Sequence, residues 1–470
     1  MTTLSPRHEG GEVVFAEVVT SPIPSSARAR NIIILLSVSV ALVMTGFGII
    51  WPVFARRLEE TGQGVQTLSM MTLAFAGAQF AVSPFVGSLG DRFGRKPLVL
   101  SALGGYALVN VAFIFAEGPW MLISLRAVEG AVTAGLFPAS MAVVADIIPP
   151  IKRARWTGIV GASFGAGFIF GPVIGGLIYD SFGYESVFGL SAAVAALGLL
   201  FTFVMLPETR TLSARRRAQL LAVGQKGIGP IMASIPRPLH IFAAMLAVDF
   251  IAVFVFLFIE PRLVFYLYDD LHWSTTAFGI VIGAYGLASF FGQFGLGRLS
   301  DRFGRRPVIF SGFIVMCVLY FGLLGATQLW IVAALAFVAG IGDALILPAL
   351  AALYIDMTDP AHQARIMGVR GSAASLGGVA APTLLAVVAP YTSPQLVFAI
   401  SGVLCVIASV VVVAIFREVR KTVTVGDNQS GGSQRQVAAA VALKAVVTSA
   451  LRTKQSTQST DARPIDRASR

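Results

Sequence analysis

The chain has 470 residues, 56% of them hydrophobic and only 13% charged. Soluble globular domains carry roughly 25% charged residues, so the composition excludes that class and reads as an integral membrane protein. The formal net charge of +11 would suggest nucleic-acid binding in a soluble chain, but here it first has to be placed along the topology.

The first apolar run is preceded by about thirty mostly polar residues that include Pro22 and Pro24, and no small-residue cleavage site follows a short apolar core. The first run therefore reads as a retained span rather than a cleaved leader. Apolar segments long enough to cross a bilayer as helices lie near 32–54, 67–89, 98–116, 120–145, 156–179 and 186–206. A second set lies near 239–266, 274–297, 307–325, 330–355, 365–389 and 395–416. The expected fold is all-α and membrane-integral, with twelve transmembrane helices in two six-helix bundles, 32–206 and 239–416. An N-terminal tail (1–31), a solvated linker (207–238) and a polar C-terminal tail (417–470) complete the chain, and both tails are expected to lack regular structure. Within the last, 437–447 could form a short interfacial helix but is too short to span.

Placing all Lys and Arg gives the orientation. With an even number of spans and both ends on one side, 30 of the 35 basic residues fall in the tails, the linker and the loops after spans 2, 4, 8 and 10. Only Arg56, Arg57 and Arg262 fall on the other side, and Arg126 and Arg370 fall within spans. The positive-inside rule then puts both ends in the cytoplasm, which accounts for the basic charge without nucleic acid as a partner.

The halves repeat one another at an offset of 210 residues. Gly87, Leu89, Asp91, Arg92, Phe93, Gly94, Arg95 and Pro97 match Gly297, Leu299, Asp301, Arg302, Phe303, Gly304, Arg305 and Pro307. Farther on, Gly130, Pro138, Asp146, Gly158, Gly167 and Pro172 match Gly340, Pro348, Asp356, Gly368, Gly377 and Pro382. Parallel six-helix repeats about an axis along the membrane normal are the design of transporters that handle substrate between their halves.

The sequence GSLGDRFGRKP at 87–97 resembles the signature loop between helices 2 and 3 of the major facilitator superfamily, and the likeness runs over 32–416. Gly158, Gly167, Gly171, Pro172, Gly175 and Gly176 match the helix 5 antiporter motif, which implies the twelve-helix drug:proton antiporter group. The copy on span 11 is eroded, with Ala381, Pro382, Leu385 and Ala386. The resemblance implies that Asp91, Arg92, Gly94 and Arg95, with Asp301, Arg302, Gly304 and Arg305 in the second half, form a cytoplasmic gate. Physically, Asp91 can pair with Arg95 and oppose the positive end of a helix, which mere orientation by basic residues would not require. On span 5 the glycines also supply small-xxx-small spacings for close packing, a role compatible with function.

Ionisable residues inside spans cost several kcal/mol unless they face a polar cavity or find a partner. They are Arg126 and Glu129 (span 4), Asp249 and Glu260 (span 7), Asp343 (span 10) and Arg370 (span 11). The resemblance makes spans 1, 4, 7 and 10 the cavity-lining set, which holds five of the six. Arg126 and Glu129 are three residues apart and share a face. Asp249 and Glu260 are eleven apart, about three turns, and share another. A carboxyl in a low-dielectric cavity can bind a proton from one side and release it to the other, and a cationic substrate would compete for the same group. Glu260 and Asp343 lead as the proton-coupling pair, since 259–274 is similar to the acidic helix 7 segment of Gram-positive quinolone and multidrug exporters. Arg126 matches the arginine of the family's helix 4 pattern, with Glu129 where glutamine is usual. Two readings stand for that pair, a static buried ion pair and an extra proton site. Asp249 is either part of the coupling set or solvated near the cytoplasmic end, and Arg370 has no assigned role.

An acid common in relatives on helix 1, nine residues before its proline, is absent, because that position is Val43. Trp51 and Phe256 are candidates to stack on planar drugs. Taken together, the sequence reads as a monomeric, proton-driven exporter of small amphipathic compounds in the plasma membrane. Substrate, protons and lipid are its partners, and neither metal, cofactor nor enzymatic activity is expected. A proton-coupled importer of a sugar or organic acid, and a non-transporting sensor on the same scaffold, are the alternatives.

Overall fold

The computed structural model of the chain describes residues 3–9, 12–18, 26–148, 150–209, 235–236, 239–358 and 363–414. Most of the expected linker and all of the expected C-terminal tail, including 437–447, lie outside them. Ahead of the first helix, β1 (Thr3–Glu9) and β2 (Glu12–Val18) pair antiparallel, with Pro6 opposite Phe15. This corrects the expectation that residues 1–30 lack regular structure. The signal passed over was the β-branched and aromatic run Val13, Val14 and Phe15, which has high strand propensity.

The rest is helical. The first half comprises α1 (Ser26–Glu60), α2 (Val65–Phe93), α3 (Arg95–Ile114), α4 (Pro119–Thr133), α5 (Leu136–Ile147), α6 (Pro150–Phe182) and α7 (Tyr184–Met205). The second comprises α8 (Leu239–Phe265), α9 (Thr275–Phe303), α10 (Arg305–Gly322), α11 (Leu329–Asp356), α12 (Gln363–Val388) and α13 (Pro394–Ala414). Among the described residues, 11 helical segments are long and apolar enough to cross a membrane. The expected fifth span, α6, adds the shorter apolar stretch Ile169–Phe182.

Three spans depart from single continuous α-helices, span 11 by ending in a 3-10 turn, Ala389–Tyr391. The expected span 120–145 is broken between α4 and α5 at Ala134 and Gly135. Pro138 lacks an N–H and crowds the carbonyl four residues back, that of Ala134, so the ladder is interrupted there. Span 7 ends in a π-helical turn, Tyr266–Asp270, followed by His272 at φ 53°, a backbone region that non-glycine residues seldom occupy.

The repeat seen in the sequence is a repeat of packing. In the first half α1 lies on α6 and α2 on α4, and in the second α8 lies on α12 and α9 on α11. The close approaches coincide residue by residue. A β-carbon at Gly130 would run into the Phe75 carbonyl, and one at its equivalent Gly340 into the carbonyl of Tyr285, the equivalent of Phe75. The two most extensive contacts between the halves are α6 with α9 and α2 with α12, and the 210-residue offset exchanges them.

The glycine motif of α6 is where three helices meet. Gly167, Gly171 and Gly175 abut the Met44, Gly48 and Ile49 backbone of α1. Gly176 faces Thr275 and Thr276 of α9, and Gly279 of α9 abuts the Pro172 carbonyl. Backbone-to-backbone packing through small residues is how helices associate where lipid supplies no hydrophobic drive. Gly175→Leu, whose side chain would collide with the Ile49 backbone, is therefore expected to cost about 3 kcal/mol or more. The check is a lower melting temperature of the purified protein, with Gly104→Ala, which has only distant neighbours, changing little.

Candidate functional site

A cavity of about 380 Å³ lies between the halves, a size suited to a small organic molecule. Its walls come from α1, α2, α4, α8 and α12. Phe47, Trp51, Phe54, Phe75, Phe80 and Phe256 give it aromatic walls, and Arg126 and Glu260 supply its charge.

The geometry at Glu260 follows from α8. Val253, Phe256, Leu257 and Glu260 recur at helical spacing and all line the cavity, so they form one stripe. Glu260 is only 5% exposed, and its carboxylate Oε1 accepts a hydrogen bond from Trp51 Nε1 of α1 at 2.6 Å. The Trp51 ring lies 6.2 Å from Phe256. The two aromatic candidates and the leading acid of the sequence are thus one cluster across the two halves.

Arg126 and Glu129 sit on α4. Arg126 Nη1 donates to Glu129 Oε2 at 2.8 Å, and the Glu129 side chain is fully buried. The guanidinium is caged by Phe75, Phe54 and Phe47 at 4.6, 5.0 and 5.7 Å from their centroids. Arg126 Nε and Glu129 Oε1 are buried without a hydrogen-bond partner.

Asp249 continues the α8 stripe one turn below Val253, and it is neither solvated nor alone. Arg370 Nε lies 3.1 Å from both of its carboxylate oxygens, and the Arg370 guanidinium rests over Tyr354 at 5.5 Å. Burial of Asp249 at 4% exposure corrects the solvated reading and gives Arg370 a partner. Arg370 also shares a stripe with Ala374 and Gly378, which line the cavity, so the pair lies where the stripes of α8 and α12 converge. Asp249→Asn removes the charge that holds Arg370 and is expected to cost about 2 kcal/mol, read as a lower melting temperature.

Asp343 is placed differently from the expectation. It does not line this cavity. Ser289 of α9 donates to its Oδ2 at 2.7 Å, Gln293 Nε2 in turn donates to Ser289 at 3.3 Å, and Tyr285 faces the same carboxyl. Tyr285 packs on Phe256 at 5.6 Å, which leaves a row of rings, not a direct contact, between the two leading acids. Span 10 therefore drops out of the expected lining set, and α2 and α12 take its place. The missed residues, Phe75, Gln79, Phe80, Ser375 and Gly378, carry no charge and so gave no signal in an apolar sequence.

The ends of the cavity differ. At the end away from the chain termini, the Tyr268 hydroxyl donates to the Pro52 carbonyl at 3.1 Å, Arg56 lies over the Tyr268 ring at 5.4 Å, and Thr276 donates from N and Oγ1 to Asp180 Oδ2 at 2.9 and 2.5 Å. Each of these contacts crosses between the halves.

At the other end the signature loops turn through Gly94 and Gly304, at φ 107° and 89°. There four contacts lie within a half. Arg95 Nε lies 3.6 Å from Asp146 Oδ2, and its backbone N–H donates to Glu208 at 3.0 Å. The equivalent Arg305 Nε donates to Asp356 at 3.2 Å, and its Nη1 to Ser300 at 2.7 Å. The side chains of Asp91, Arg92 and Asp301 lie outside the described residues. Gly87 and Gly158 fall within α2 and α6, and Arg302 lies over the Phe303 ring at 5.5 Å.

Two repeated helical halves around a substrate-sized cavity define a secondary transporter. The chain belongs to the Major Facilitator Superfamily, whose family model matches residues 36–265 and 241–455. It is 29% identical over 368 residues to the class C tetracycline resistance protein of Escherichia coli, covering 76% of this chain and 89% of that protein. It is 28% identical over 357 residues to the multidrug resistance protein MdtG of Proteus mirabilis, covering 74% and 86%. Among solved structures, it superimposes on a bacterial homolog of the human lysosomal transporter Spinster in an inward-facing and occupied conformation. There the TM-score is 0.67 at 15% identity, covering 84% of this chain and 98% of that one. The human organic anion transporter MFSD10 gives a TM-score of 0.60 at 20% identity, covering 82% and 99%.

Proposed function

We propose that this protein is a proton-coupled antiporter that exports small amphipathic cations across the plasma membrane by alternating access, with both chain ends in the cytoplasm. One observation carries the reading. Glu260 is a buried carboxyl in the wall of an aromatic cavity, and its described partner is the neutral indole N–H of Trp51, whereas the other acid beside the cavity, Glu129, is already paired with Arg126. Arg126 lines the same cavity but is hydrogen-bonded to Glu129, so the Glu260 carboxylate can hold either a proton or a substrate cation, and the aromatic walls suit the rest of an amphipath. Mutual exclusion at one carboxyl is the elementary requirement of exchange.

The Tyr268, Arg56 and Thr276 contacts join the halves at the end away from the termini. Proton arrival at Glu260 from outside then requires the Tyr268, Arg56 and Thr276 contacts to part. The names of the relatives, tetracycline and multidrug resistance proteins, support an exported drug-like substrate. The protein acts as a monomer driven by the proton gradient, with no cofactor.

The test is accumulation of a lipophilic cation or a fluoroquinolone in inverted membrane vesicles, with and without an ionophore that collapses the proton gradient. Accumulation that needs the gradient is expected. Sugar or organic-acid uptake by intact cells without movement of cations would overturn the reading in favour of an importer, and binding without any movement would favour a sensor.

A further inference from the structure

A second cavity, of about 220 Å³, opens within the first half. It shares Phe47, Phe75 and Gln79 with the central cavity, so those three residues are a partition between two lobes rather than a wall around one. The inner lobe sits at the break between α4 and α5, where Ala134, Leu136 and Phe137 face Val43 and Met44 of α1. The break that Pro138 imposes is what separates these side chains enough to leave space.

The chemistry of the inner lobe is one-sided. Apart from the Gln79 amide at the partition, its polar side chains are already engaged: the Tyr106 hydroxyl with Ser191 at 3.1 Å, and Thr133 Oγ1 with the Glu129 carbonyl at 2.7 Å. At the partition, the Phe47 and Phe75 rings meet at 5.5 Å and a 47° tilt, with the Gln79 amide beside them.

The repeat sharpens the contrast. At the 210-residue offset Thr133 becomes Asp343 and Gln79 becomes Ser289, and in the second half those two residues are hydrogen-bonded to each other at 2.7 Å. The same place in the fold therefore holds a hydrogen-bonded polar pair in the second half and a mostly apolar hollow in the first.

We infer that the inner lobe is a subsite for the flat, apolar ring end of an elongated amphipathic cation whose charged end lies at Glu260. Phe47, Phe75 and Gln79 form the passage between the two lobes, and Ala134 and Phe137 set how long a substrate can be. The inference rests on the cation-export reading and adds to it the shape of the substrate: a positive head followed by two or three fused or linked rings. A single-ring cation fits in the central lobe alone. A dianion or a sugar finds only the Gln79 amide to bond at the mouth of the inner one, and each unmet hydrogen bond costs a buried polar group about 1–3 kcal/mol.

Equilibrium dialysis of the purified full-length chain tests it with two probes, benzyltrimethylammonium (one ring) and anthracen-9-ylmethyl-trimethylammonium (three fused rings). Wild type is expected to bind the three-ring probe more tightly. Ala134→Phe, which fills the lobe, is expected to cut the preference for the larger probe about tenfold, equivalent to about 1.4 kcal/mol. Phe137→Ala acts at the exposed rim, 51% accessible, so folding is not at stake. It too is expected to lower the preference, by removing a ring contact. Equal binding of the two probes by wild type, or an unchanged preference in both variants, would overturn the subsite. Glu260→Gln in the same assay is expected to weaken both probes together. If it weakens neither, the cation site itself fails, a result separable from failure of the inner lobe.

Discussion

Glu260→Gln is expected to abolish gradient-driven transport while the protein remains folded. Glutamine keeps the volume and an oxygen that can accept from Trp51 Nε1, now 2.6 Å from Glu260, so the contact between α1 and α8 survives. What it removes is the charge. Attraction between opposite charges about 4 Å apart is worth about 4 kcal/mol at an effective dielectric of about 20, part of it offset by desolvation, so affinity for a lipophilic cation is expected to fall by roughly 10- to 100-fold. The pH dependence has a definite sign. Protons compete for the carboxylate, so in wild type cation affinity falls as pH falls. In the variant that dependence flattens, because no proton is bound or released there. Direct binding of a fluorescent cation across a pH series, alongside vesicle transport, reads both effects. Full transport by Glu260→Gln would transfer the coupling role to another acid, with Asp343 the first to examine.

Arg126→Leu is expected to have the largest effect on stability. Its partner Glu129 is completely buried, with Oε1 unbonded, and removing the guanidinium leaves a carboxylate with no counter-charge inside the protein. Breaking a buried pair in this way costs about 3–5 kcal/mol, whereas replacing both members by apolar residues is often close to neutral. The double variant Arg126→Leu with Glu129→Leu is therefore expected to melt near wild type, while the single variant melts far below it or fails to accumulate. The same pair of variants separates the two readings of this site. A folded double variant that still transports against a gradient identifies a static pair supporting the Phe47, Phe54 and Phe75 cage, and one that binds cations but no longer exchanges them identifies an additional proton site. The cage favours the static pair.

Charge and glycine were the residues by which the sequence could be read, because in an apolar chain both are exceptions that need a reason. The run from Gly87 to Pro97 located the turns at Gly94 and Gly304. The glycines from Gly167 to Gly176 located the helix that packs on α1 within its half and on α9 across the halves. Arg126 and Glu129, three residues apart, were found hydrogen-bonded, and Trp51, Phe256 and Glu260, chosen on separate grounds, were found together. The misses have physical causes. Periodicity places Asp249 on the Glu260 stripe, but it cannot reveal a partner on another helix, so Arg370, 121 residues away, was left without a role. Asp343 was assigned to the cavity because its span was expected there, while the hydrogen bond that holds it comes from Ser289, a residue with no distinguishing pattern in sequence. Phe75 and Gln79 went unnoticed because an aromatic or amide in a membrane helix faces lipid, core or cavity with the same periodicity. The break at Ala134 was legible in principle from Pro138, yet a proline within a span is common enough in membrane helices to be passed over.

The most direct test of the central claim, that a proton and a substrate cation exclude each other at one carboxyl, needs no vesicles. Purified protein in weakly buffered detergent solution, held at a pH where Glu260 carries its proton, is mixed with a lipophilic quaternary ammonium ion, and released protons are followed with an indicator dye. The expected result is a saturable release approaching one proton per bound cation, present in wild type and absent in Glu260→Gln. Saturable binding of the cation with no proton release in wild type would contradict it.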